Sequence, residues 1–158
     1  MKHAIIIYTL MAFTWLSYAS MHHHKEGGVD GEYTTYEVDQ VTRLSGGGDG
    51  INPLLPRLIE VESHWKRDAV STKGARGVAQ IMPDTGRQPG LGVKPLQGDS
   101  DAESLRFAND YLNALKARYG DDRLALAAYN CGITCVDRAL KQMPLETQNY
   151  VKKITVGD

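Results

Sequence analysis

The stretch DAESLRFANDYLNALKARYG, residues 101–120, decides the architecture. Leu105, Ala108, Tyr111, Leu112, Leu115 and Tyr119 recur at steps of three and four, the repeat of an α-helix with one buried face. The spacing predicts a helix over 101–119, and Gly120 is the residue type that ends one in a left-handed cap. DRLALAAYN (122–130) is nearly all apolar, so it is expected at the centre of the fold. Beyond Gly132 the sequence predicts two more short helices, about 134–142 and 145–154, separated by Pro144.

Upstream of residue 101 the pattern is helical but more broken. Asn52-Pro53 reads as a helix start that runs to about Trp65, with Pro56 tolerated in the first turn. STKGARG (71–77) is a turn hinged at Gly74 and Gly77. VAQIM (78–82) is expected as a short helix stopped by Pro83. GRQPGLGVKPLQG (86–98) carries too many Gly and Pro residues for a regular element, with one short hairpin near 90–98 as the exception. No alternating pattern of ordinary strand length is present. The fold class is therefore all-α over residues 51–158.

Within the first helix, LIEVESHWKRD (58–68) carries two glutamates with different surroundings. Leu55, Leu58 and Ile59 lie seven, four and three residues before Glu62 and share its face. Glu60 stands about 200° round from Glu62 at 100° per residue, and is expected in water. A carboxylic acid partly withdrawn from water has its charged form disfavoured, so its pKa rises towards neutrality. That is the property of a general acid. A buried, paired structural glutamate is the bland alternative. Trp65 follows the core stripe and is assigned to packing.

The bulk numbers restrict the remaining readings. The 158 residues allow one domain plus an appendage, and 42% hydrophobic with 23% charged residues is ordinary for a globular chain. A net charge of −1 gives no case for nucleic acid as a partner. Lys2 precedes the apolar run AIIIYTLMAFTWL, and Ser17 and Ala19 are small residues at the −3 and −1 positions of a cleavage after Ala19. Residues 1–19 are thus expected as a signal peptide or a retained N-terminal anchor, which places the chain in the periplasm or cell envelope; a start at Met21 is a third reading. Residues 20–50, rich in Gly and polar side chains, read as a flexible linker. His22, His23 and His24 lie in it. A free terminus at Ser20 would put histidine third, a geometry that suits Cu(II) or Ni(II), but a solvated run is the simpler reading and no metal site is assigned. Cys131 and Cys135 are either a short-range disulfide or two small buried side chains.

Four blocks in order carry a resemblance: Glu62-Ser63, then AVSTKGARGVAQIMPDT (69–85), then ALAAYNCG (125–132), then MPLETQNYV (143–151). Together they resemble the family 1 lytic transglycosylases, whose catalytic domain is related to goose-type lysozyme. The likeness covers about 52–154 and implies an all-α, lysozyme-like catalytic domain at 51–158. It implies Glu62 as the single acid/base. Ser71 would orient the acid and substrate, and Gln80 would contact the glycan. Tyr129 and Asn130 would face the sugar beside the acid, and Glu146 and Tyr150 would close the other side of the groove. It also implies cleavage of the MurNAc–GlcNAc β-1,4 bond of peptidoglycan, with formation of 1,6-anhydro-MurNAc, by a monomer needing no metal or organic cofactor. A secretion, conjugation or virion apparatus is the partner class such domains suggest. A water-using muramidase of goose-type lysozyme kind, and a non-catalytic peptidoglycan-binding component, remain as alternatives. The chain departs from the family at Val78-Ala79, where bulkier Leu-Met is usual, and at Cys131, where alanine is usual.

Overall fold

The computed structural model describes residues 50–138 and 143–156, together with residue 43. The expected signal peptide or anchor of residues 1–19, the histidines at 22–24 and all but two residues of the linker lie outside the described residues. Six helices are described: α1 Leu55–Ser63, α2 Pro83–Arg87, α3 Asp101–Tyr119, α4 Asp122–Cys131, α5 Ile133–Arg138 and α6 Leu145–Val156. No helix of the described residues is long and apolar enough to cross a membrane.

The 101–119 helix forms as its spacing predicts. Ser100 caps it by accepting from the Glu103 N–H, Asp101 and Glu103 place negative charge in its first turn, and Gly120 ends it at φ 68°. Its inner face buries Leu105, Phe107, Ala108, Leu112 and Leu115. The α4 helix, capped by Asp121, packs against α3, α5 and α6 and buries the whole run Ala125–Ala128. Small side chains on several faces let three neighbours approach a short helix, so the all-apolar segment is central as expected. The α1 helix packs against α6 and α3 and adds Leu55, Leu58 and Ile59 to the same core.

Three local expectations are corrected. The α1 helix ends at Ser63, before Trp65, because His64 and Trp65 turn into the left-handed region at φ 50° and 60°. VAQIM is not a helix: Arg76 and Ile81 exchange backbone hydrogen bonds of 3.1 and 3.0 Å, and Val70 pairs with Arg76 beside them. Pro83 then begins α2 instead of ending an element, in keeping with a residue that has a fixed φ and no N–H to lose in a first turn. The hairpin near 90–98 does not form either. That segment is turns, tied back by Leu96 N–H to Gly86 O at 2.8 Å, and the isolated β-bridges lie at 70, 76 and 81.

The entry to α1 is fixed by asparagines rather than by a simple N-cap. Asn52, 3% exposed, accepts from the Leu54 N–H at its Oδ1, gives its own N–H to Asn109 Oδ1 at 2.8 Å, and donates from Nδ2 to Asn113. Asn109 and Asn113 in turn donate to the Gly50 carbonyl. Replacing Asn109 by Ala strands the buried Asn52 N–H. The expected cost is about 1–3 kcal/mol, read as a lower urea midpoint with unchanged m-value. An unchanged midpoint would show that the ladder does not hold the start of α1.

Candidate active site

Glu62 sits in the last turn of α1, half-buried, with its carboxylate against the inner face of α6. Tyr150, itself 8% exposed, donates its hydroxyl to Glu62 Oε1 at 2.6 Å. Loss of hydration pushes the Glu62 pKa from 4.5 up to about 7, and the Tyr150 hydrogen bond, which favours the charged form, pulls the other way. Glu60 is placed on another side of the helix. It is turned towards solvent and meets His64 Nδ1 at 2.9 Å along the helix surface. The two glutamates thus divide as the helical geometry predicts.

Tyr129 is the second tyrosine at the acid. Burial and the neighbouring Glu62 carboxylate hold its hydroxyl well above the ordinary tyrosine range, and the same causes act on Tyr150. Its ring tilts against Tyr111 at 5.8 Å, and its hydroxyl donates to the Ala79 carbonyl at 2.9 Å. That bond ties α4 to the irregular loop after α1. Ser63, next to the acid and 6% exposed, does the same from α1, giving its hydroxyl to Val78 O at 2.7 Å. Two neighbouring carbonyls of one loop are therefore held from two helices.

The other expected residues occupy the rim, each with a structural engagement. Ser71 closes a tight turn, its N–H on Ala75 O and its Oγ accepting from Ala75 N–H, both at 3.0 Å. Gln80, at φ 46°, donates its side-chain N–H groups to Ala69 O and Gly77 O. Asn130, exposed at the end of α4, accepts from the Thr147 hydroxyl at 3.0 Å. Glu146, in the first turn of α6 and 77% exposed, reaches to within 3.9 Å of Lys73 on the 71–75 turn. The structure brings Glu62, Tyr129 and Tyr150 together directly, and sets Ser71, Gln80, Asn130 and Glu146 on the elements around them. Thr147 was not singled out from the sequence. A signal was there: 147, 150, 151 and 154 form the buried stripe of α6, and Thr147 is its polar member.

Cys131 and Cys135 are joined by a disulfide. The chain between them is not one continuous helix, because Gly132 interrupts it at φ 89°. The bridge therefore spans the corner between α4 and α5, directly after Tyr129 and Asn130. Tyr119 and Arg118 add bonds of 2.9 Å each to Asp137 on α5. Among the described residues no group of three or more His, Cys, Asp or Glu side chains is arranged to hold a metal ion. A cavity of about 800 Å3 lies elsewhere, between residues 50–51, the 91–97 turns and residues 103–114 of α3, and Glu62 does not line it. Its Arg106 is engaged by Glu103 at 2.7 Å and Asp110 at 2.6 Å.

The family model described as Transglycosylase SLT domain matches residues 49–151. The chain is 39% identical over 84 residues to a membrane-bound lytic murein transglycosylase F of Cellvibrio japonicus, covering 50% of this chain and 17% of that protein. It is 35% identical over 83 residues to the protein of the same description in Maricaulis maris, covering 51% of this chain and 18% of that one. The solved structure of an inactive glutamate-to-glutamine mutant of lytic transglycosylase Slt from Pseudomonas aeruginosa matches with a TM-score of 0.56 at 22% identity. That match covers 75% of this chain and 22% of Slt, and it shows the all-α lysozyme-like fold. The chain thus spans about a fifth of the length of these relatives.

The carboxyl and its tyrosine make two expectations concrete. In Tyr150→Phe the hydrogen bond that favours the carboxylate is gone, so the Glu62 pKa rises above about 7, read by NMR titration of its side-chain carbon. An unchanged or lower value would remove Tyr150 from control of the acid. Linkage gives the second. The folded state binds the Glu62 proton more tightly than the unfolded chain, so stability is whole below pH 4.5 and falls as pH rises through about 7. Glu62→Gln lacks that loss, and after discounting for partial exposure should gain on the order of 1–3 kcal/mol in urea unfolding at about pH 8 and little at about pH 4. An equal gain at both would detach the effect from ionisation.

Proposed function

The chain belongs to the transglycosylase SLT domain family, and from that premise we propose that it is a peptidoglycan lytic transglycosylase with Glu62 as its single acid and base. The observation that carries the reading is the half-buried Glu62 carboxyl, raised to about 7 and held by Tyr150. Near neutral pH such a group is divided between both protonation states, as a residue must be to act first as acid and then as base. The relatives' descriptions as lytic murein transglycosylases support the substrate, and the inactive glutamate-to-glutamine mutant of Slt supports a glutamate as the acid. Their description as membrane-bound favours a place in the cell envelope.

In the proposed cycle, protonated Glu62 gives its proton to the glycosidic oxygen between MurNAc and GlcNAc, and that C1–O bond breaks. The carboxylate then removes the proton of the MurNAc C6 hydroxyl as O6 bonds to C1. The products are a 1,6-anhydro-MurNAc end and a free GlcNAc 4-hydroxyl, with no water consumed. An internal nucleophile has a large effective concentration when the groove fixes the ring. A hydrolase would need a second carboxylate to direct water. Among the described residues the surroundings that shift Glu62 are burial and the Tyr150 hydroxyl, with no carboxylate beside them. Asp84 and Asp101, two acids elsewhere in the chain, are engaged by Arg87 and Arg67.

Tyr150 keeps the carboxyl oriented, Tyr129 and Ser63 keep the loop wall in place, and Asn130, Gln80, Ser71 and Glu146 are assigned to the groove. Mass spectrometry of muropeptides released from purified peptidoglycan tests the whole. Wild type should give anhydro-MurNAc ends, and Glu62→Gln none. The rate should fall about tenfold per pH unit above the Glu62 pKa, as the acid form is lost. Reducing ends, heavier by one water, would make the protein a muramidase. No release with intact wall binding would leave a binding component or an enzyme that needs its partner.

A further inference from the structure

Thr147 has an unusual position for a hydroxyl. It is 2% exposed, on the face of α6 that also buries Tyr150, Val151 and Ile154. A hydroxyl so far from water costs stability unless it is partnered. Its partner is not a core group but Asn130 Oδ1, 3.0 Å away on an exposed side chain at the end of α4. Three residues further along α6, one helical turn, Tyr150 gives its own hydroxyl to Glu62. One helix face therefore holds both the acid and the amide assigned to the groove.

An asparagine amide carries one acceptor oxygen and two N–H donors on nitrogen. A free surface asparagine samples several rotamers and both amide orientations. At Asn130 the oxygen is taken by a buried hydroxyl, and among the described residues none accepts from its nitrogen. The backbone beside it is pinned as well, because the next residue, Cys131, is bridged to Cys135. The free end of this fixed side chain is a pair of N–H donors. Their complement on an N-acetylated sugar is an acceptor, the acetamido carbonyl oxygen or a ring hydroxyl oxygen.

We propose that Thr147 is a positioning residue: its buried hydroxyl fixes the Asn130 amide with nitrogen presented to the glycan, so that the groove recognises an N-acetylhexosamine acceptor group. This rests on the glycan-cleaving function proposed above. Thr147 does not touch substrate and acts only through Asn130. A valine at 147 would keep the buried methyl and lose the hydroxyl, freeing the amide to turn its oxygen outward, where it repels the same acceptor.

The test is a double-mutant cycle on soluble peptidoglycan fragments. Thr147→Val should raise KM about tenfold, the worth of one hydrogen bond, with the pH dependence of kcat unchanged. Thr147→Ser, which keeps the donor, should restore binding to within about twofold. In an Asn130→Ala background Thr147→Val should add nothing. Wild-type KM in Thr147→Val, or a loss undiminished in that background, overturns the proposal. The NMR resonances of the Asn130 side-chain amide give a readout independent of turnover. They should shift in Thr147→Val and not in Thr147→Ser, and unshifted resonances overturn the proposal even if wild type cleaves no glycan. Shifted resonances without wild-type cleavage would overturn the proposed function alone.

Discussion

A carboxyl group at the edge of the core, bonded by a tyrosine 88 residues away in sequence, is the constraint around which this fold is arranged. Withdrawing Glu62 from water is unfavourable for its charged form, and the hydroxyl that meets it belongs to a helix that must pack against α1 to deliver it. That packing requires the apolar stripe of α6, with Tyr150, Val151 and Ile154 buried. It also requires a thin element between α6 and α3, which the alanines of α4 supply. The core thus does two things at once: it closes the bundle and sets the environment of one acid.

The wall beside that acid is not regular structure. Residues 69–82 contain only isolated bridges, yet their carbonyls are taken by specific donors. Ser63 holds Val78 O, Tyr129 holds Ala79 O, and Gln80 holds Ala69 O and Gly77 O. Each such bond contributes only about 0.5–1.5 kcal/mol, but leaving the buried carbonyls unpaired would cost more. A loop with no ladder of its own is made definite by borrowing donors from two helices and from itself. Several residues that the family resemblance assigns to substrate are hence also structural.

Much of this was legible in the sequence, and what was not has particular causes. Helix periodicity gave α3 its limits, because Leu105 to Tyr119 keep one face and Gly120 ends it. The same spacing separated Glu62 from Glu60. VAQIM was misread as a helix because four of its residues are apolar and follow a turn. The competing term was the positive φ of Gly77 and Gln80, which bends the chain back so that Ile81 pairs with Arg76. A sequence does not display such a pairing, since neither partner lies in a strand of ordinary length. The role of Thr147 was hidden for a related reason: its meaning depends on α4 and α6 lying side by side. The spacing of the cysteines left a bridge and two buried thiols open, and the break at Gly132 is what gives the bridge a corner to hold.

The early end of α1 carries an electrostatic consequence of its own. Peptide dipoles add along a helix, leaving partial negative charge on the carbonyls of the final turn. Glu62 stands in that turn, one residue before the end, with His64 and Trp65 already out of the helix. A carboxylate there faces the unfavourable pole, by roughly 0.3–1 kcal/mol. Had α1 continued to Trp65 and beyond, the same side chain would lie mid-helix, away from that pole. The two left-handed residues, costly in themselves, therefore act on acidity at a distance of one turn. Desolvation pushes the same way, and among the described residues burial is what holds the Glu62 proton towards neutrality.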